Sequence, residues 1–212
     1  MEIENNLLAI RRKVANLSAN VQLVAVSKFQ SSDKILQAIA AGQMVFGENR
    51  VQEATEKWPA IKKIFPDIKL HLIGTLQTNK AREAVAVFDV IEIVDRTKLA
   101  DCLAKEMQKQ GKNLPCLIQV NIGREPQKSG IMPEEVDEFI KYCIGKNLAI
   151  TGLMCIPPES ESPEPYFMQM QNIAKRNDLK ILSMGMSGDF ESAIKCGATH
   201  VRVGTAIFGK RV

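Results

Sequence analysis

The chain has 212 residues, 45% of them hydrophobic and 25% charged, the balance of one globular domain over residues 1–212 with a sizeable core. Lys and Arg number 28 against 24 Asp and Glu, so the net charge of +4 is too small and too interspersed to attract nucleic acid. Aromatic residues make up only 5%, which leaves no stacking platform for single strands. Of the two basic clusters, Arg11-Arg12-Lys13 reads as a solvated helix face and Lys210-Arg211 as a charged tail.

Cys102, Cys116, Cys143, Cys155 and Cys196 are odd in number and include no Cys-x-x-Cys pair, the pattern of reduced, buried thiols rather than of a disulfide framework. With only His71 and His200 beside them, no metal centre is expected. Residues Met1 to Asn6 lack the layout of a signal peptide, and no apolar run is long enough to span a bilayer. The expectation is a cytoplasmic protein with no membrane partner.

Ile3, Leu7, Ile10, Val14 and Leu17 have amphipathic spacing and predict a lead-in helix over residues 3–17. Val21 to Val26 is an apolar run broken only by Gln22, the reading of a strand buried on both faces, and it stops on Ser27-Lys28. Ser31-Ser32-Asp33 caps a helix that ends at Gly42. A strand over 44–47 leads through Glu48-Asn49-Arg50 to a helix from Val51, ended by Pro66. The third strand is 69–74, followed by a helix from Thr78-Asn79 to Phe88; the fourth is 90–94, followed by a helix to Gly111. The fifth is 114–121, after which a polar loop runs to Gly130 and Pro133-Glu134-Glu135 opens the next helix. The sixth, seventh and eighth strands are 148–156, 180–186 and 200–204, with helices ending near Asn177 and at Gly197 between them.

Eight buried-type strands alternating with helices close most naturally into a (β/α)8 TIM-type barrel. An open doubly wound sheet would want a glycine-rich fingerprint after its first strand, and Lys28-Phe29-Gln30-Ser31 is not one. The working face of such a barrel is the carboxyl end of its strands, where this sequence places Lys28, Glu48, Asn49, Gly74, Asp95, Asn121, Ser187, Gly204 and Thr205. Loops after the seventh and eighth strands commonly hold phosphate. Here Met186-Ser187-Gly188-Asp189 and Gly204-Thr205-Ala206 offer glycines for close approach and hydroxyls as donors. A lysine opposite such loops either pairs with the anion or attacks a carbonyl as a neutral amine. Arg202 shares a strand face with Gly204 and so points into the barrel, where a guanidinium requires a partner.

The blocks Ala25-Val26-Ser27-Lys28, Phe46-Gly47-Glu48-Asn49 with Val51-Gln52-Glu53, and His71-Leu72-Ile73-Gly74 with Leu76-Gln77 and Asn79-Lys80 carry a resemblance, continued by Lys128-Ser129-Gly130, Gly152-Leu153-Met154, Ser183 to Ser187 and Arg202 to Gly209. Together they resemble the pyridoxal phosphate homeostasis protein family, single-domain relatives of the alanine racemase barrel (the fold III pyridoxal phosphate architecture). The resemblance implies that Lys28 holds pyridoxal 5′-phosphate as a Schiff base and that Ser187, Gly204 and Thr205 hold its phosphate. It also implies that Arg202 faces the pyridine nitrogen and Asn49 the ring's substituent side. The sequence departs from the family at Leu70, where relatives often have tryptophan, and at Arg50, where many have tyrosine.

An arginine does not give its proton to the pyridine nitrogen, which leaves the ring a weaker electron sink than an aspartate partner would. Alanine racemase takes its second base, a tyrosine, from an extra β domain, whereas Val212 follows the eighth strand closely here and Tyr142 and Tyr166 fall on helices. The leading expectation is a monomeric carrier or buffer of pyridoxal 5′-phosphate in vitamin B6 homeostasis, without classical catalytic activity. Apo pyridoxal phosphate enzymes are its candidate recipients. Two alternatives stand beside it: a weak amino-acid racemase with His71 as the other base, and an aldolase-like barrel in which Lys28 condenses with a sugar phosphate.

Overall fold

Strands that are apolar on both faces need cover on both, and amphipathic crossover helices supply it on the outside while closure supplies it within. In the computed structural model, which describes residues 2–209, eight parallel strands follow one another around a closed barrel in chain order. They are β1 Gln22–Val26, β2 Val45–Glu48, β3 Lys69–Leu72, β4 Val90–Val94, β5 Pro115–Val120, β6 Ala149–Cys155, β7 Ile181–Ser183 and β8 His200–Val203. β8 returns to β1 in a register that sets Val24 beside Arg202 and Ala25 beside Val203.

The helices are α1 Glu2–Leu17, α2 Ser32–Ala40, α3 Val51–Ile64, α4 Ala81–Val87, α5 Thr97–Gln110, α6 Val136–Gly145, α7 Glu164–Arg176, α8 Phe190–Lys195 and α9 Thr205–Phe208. Their apolar stripes and the outward strand residues form the main core, in which Trp58, Phe46, Phe88 and Phe167 are fully buried. The lead-in helix α1 buries Ile3, Leu7, Ile10 and Val14, as its spacing predicts.

Five differences from the sequence reading have local causes. α6 begins at Val136 because Pro133 to Glu135 form a turn, closed by Glu135 N–H on the Met132 carbonyl at 2.9 Å, before the helix. β7 stops at Ser183 because Gly185, at φ 93°, leaves the extended region. Thr78–Lys80 form a 3-10 turn ahead of α4 rather than its first turn, and α9 is a one-turn helix that apolar spacing does not reveal. Arg11 is not a solvated side chain: its guanidinium closes the end of α2 by donating to the Ala41 carbonyl at 2.8 Å and Gln43 Oε1 at 3.1 Å. Lys210-Arg211 lies outside the described residues.

Candidate functional site at the mouth of the barrel

The carboxyl ends of β1, β2, β7 and β8 surround a cavity of about 430 Å³. Its lining includes Lys28, Asn49, Ser187, Arg202, Gly204 and Thr205, all six residues that the resemblance nominates for the cofactor, and adds Gln30, Ile73, Ile156, Glu159 and Met186. β1 ends at Val26, so Lys28 sits in the following turn, half-buried, rather than on the strand itself.

Local packing fixes several of these positions. Gly74 is needed for Asn49: a Cβ there would lie 2.5 Å from the Asn49 carbonyl oxygen and 2.6 Å from its Cβ. Gly204 lets β8 pass close to β1, its ideal Cβ position being 3.2 Å from the Val26 carbonyl oxygen. The Asn49 Oδ1 atom is buried with no hydrogen-bond partner among the described residues, an arrangement that costs free energy until a donor reaches it.

Arg202, only 3% exposed, has the partners its burial demands. Nη1 donates to Ser183 Oγ at 2.8 Å and Nη2 to the Cys155 carbonyl at 2.8 Å. Ser183 passes the interaction on by donating to Glu92 Oε2 at 2.6 Å, and Glu92 Oε1 lies 2.5 Å from His71 Nδ1. Burial alone would raise the Glu92 carboxyl, but the hydrogen bond and charge of His71, with Arg202 and Ser183, hold it down at about 2. It is therefore an anion beneath the cavity, and it fixes a cation at the cavity wall.

The other nominated strand ends do structural work. Glu48 is fully buried and turned outward, accepting from Ser27 Oγ at 2.7 Å and Trp58 Nε1 at 3.1 Å. Asp95 pairs with Arg96. Asn121 caps its own loop, accepting from Glu125 N–H at 3.0 Å and donating to the Glu125 carbonyl at 2.8 Å. His71 is 5% exposed and does not line the cavity, and Tyr142 and Tyr166 bind Asp101 and Glu161 on the helical layer. Burial pushes the Cys116, Cys143 and Cys155 thiols up to about 12, which leaves them inert as nucleophiles. Sequence reasoning missed Glu92, although an acid flanked by Val90, Ile91, Ile93 and Val94 was the signal available.

A lysine-bearing first turn, an arginine wall and hydroxyls after the last two strands define the class: a barrel of the alanine racemase N-terminal domain family, which matches residues 1–212. The pyridoxal phosphate homeostasis protein of Haemophilus influenzae is 39% identical, over 100% of this chain and 97% of that one. The human pyridoxal phosphate homeostasis protein is 37% identical over 96% of this chain and 82% of its own. The chain belongs to the pyridoxal phosphate homeostasis protein family.

Among solved structures, PipY of Synechococcus elongatus with PLP bound superposes with a TM-score of 0.86 at 37% identity, over 98% of this chain and 100% of that one. An alanine racemase from Acinetobacter baumannii shares the fold, with a TM-score of 0.74 at 20% identity over 99% of this chain and 61% of that one.

Proposed function

We propose that the protein binds pyridoxal 5′-phosphate, retains it covalently through Lys28, and serves vitamin B6 homeostasis as a carrier or buffer. The observation that carries this reading is the convergence of Lys28, Asn49, Ser187, Arg202, Gly204 and Thr205 on one cavity. When bound, the cofactor supplies an aldehyde that condenses with an amine and a phosphate that needs hydrogen-bond donors.

The chain's residues suit that group. The Thr205 hydroxyl at the start of α9 adds a donor beside that of Ser187. Asn49 Oδ1, buried without a partner among the described residues, accepts from a ligand donor. Arg202, held by Ser183 and the Cys155 carbonyl, presents its guanidinium to the pyridine side. The reading extends to a cytoplasmic monomer that passes the cofactor to apo enzymes, a role supported by the mouth position of the cavity.

A spectroscopic titration tests the proposal. Pyridoxal phosphate added to the protein gives the visible absorbance of a lysine adduct, Lys28→Ala gives none, and Ser187→Ala with Thr205→Ala weakens affinity while leaving the adduct spectrum in place. An unchanged spectrum in Lys28→Ala would refute the assignment.

A further inference from the structure

The turn that presents Lys28 is gripped from outside the barrel by charges that the binding site leaves unexplained. Residues 27–30 form a tight turn closed by Gln30 N–H on the Ser27 carbonyl at 3.0 Å. Its third residue is Phe29 at φ 62°, a position where turns ordinarily use glycine or asparagine. Glu53 Oε1 accepts the Phe29 N–H at 2.7 Å, directly beside that strained residue. Lys57 Nζ donates to the carbonyls of Ser27 at 3.2 Å and Gln30 at 3.3 Å, one at each end of the turn. The same ammonium pairs with Glu48 at 2.8 Å and Glu53 at 2.9 Å.

The Lys57 side chain is 10% exposed and that of Glu48 is fully buried. Burying such a group is costly, and well-packed apolar side chains of similar volume commonly stabilise a fold as well or better. Stability alone does not call for these charges. What they do is fix both ends and the strained centre of the turn whose second residue lines the cavity.

We propose that Lys57 and Glu53 are positioning residues for Lys28, holding its turn so that the amine meets a ligand aldehyde in line for capture. The inference rests on the proposed binding of pyridoxal phosphate. In the step concerned the amine nitrogen bonds to the aldehyde carbon, the carbonyl oxygen leaves as water, and nothing is oxidised or reduced. Positioning of this kind acts on the capture step and leaves the anion seat at the far side of the cavity unchanged.

The test uses Lys57→Met and Glu53→Ala, with folding checked by thermal melting. Capture of pyridoxal phosphate is followed by stopped-flow absorbance, and binding of 4′-deoxypyridoxine 5′-phosphate, which lacks the aldehyde, by calorimetry. Capture slows roughly tenfold to a hundredfold, while affinity for the deoxy analogue stays within about twofold of the native value. Should Lys57→Met unfold because Glu48 is left buried and unpaired, Glu53→Ala decides the matter, since that side chain is 24% exposed. Native capture rates in a folded Glu53→Ala, or equal loss of capture and analogue binding, would overturn the proposal. Failure of the native protein to capture the aldehyde at all would remove the binding reading itself, whereas native capture with unaffected variants would remove only the clamp.

Discussion

Glu92 sits at the centre of the barrel's polar layer, between His71 on one side and Ser183 with Arg202 on the other. Replacing it by glutamine leaves the Arg202 cation buried with a weakened network. A loss of about 3–5 kcal/mol is expected in urea unfolding, the range for breaking a buried pair; a loss below 1 kcal/mol would contradict the network. His200 lies against the same layer, its ring 6.0 Å from that of His71. Burial, aided by the His71 and Arg202 charges and opposed by Glu92, lowers its pKa from 6.5 to about 4. The unfolded chain therefore takes up this proton first as pH falls. Its contribution is whole above about pH 6.5 and is lost progressively down to pH 4, on the order of 3 kcal/mol in all. Urea midpoints should decline over that window in the native protein and decline less in His200→Gln. A flat native profile would show that His200 titrates normally.

At the scale of elements, sequence spacing worked where one face is apolar and failed where backbone geometry decided. The stripe of α1 and the apolar runs of β1, β4 and β5 were legible because burial imposes them residue by residue. The end of β7 was not, since it depends on the φ of Gly185. The site divides in the same way. Lys28, Asn49, Ser187, Gly204 and Thr205 could be picked out because they follow strands, whereas Lys57 and Glu53 carry the charges of any exposed helix and only tertiary packing shows their use.

Glycines give two element-scale predictions. Gly74→Ala drives a methyl group into Asn49, so it should cost about 1–3 kcal/mol of stability and weaken binding of the deoxy analogue, measured by urea unfolding and calorimetry. Gly111 closes α5 at φ 62° and Gly145 ends α6 at ordinary φ with open space around it. Alanine should therefore destabilise by about 1 kcal/mol at the first and not at the second. Equal melting temperatures for the two variants would contradict this.

On the scale of the whole molecule, closure of the barrel is what brings residues far apart in sequence to one cavity. The pairing of β8 with β1 brings Arg202, Gly204 and Thr205 to Lys28, and the pairing of β1 with β2 adds Asn49 to the same wall. A small ligand held in that cavity would therefore touch residues that follow both the first and the last strand. The decisive measurement is borohydride reduction of the protein loaded with pyridoxal phosphate, followed by mass mapping of the proteolytic peptides. One stoichiometric pyridoxyl modification is expected, on Lys28; label spread over surface lysines, or concentrated on another lysine with Lys28 unmodified, would contradict capture by that amine.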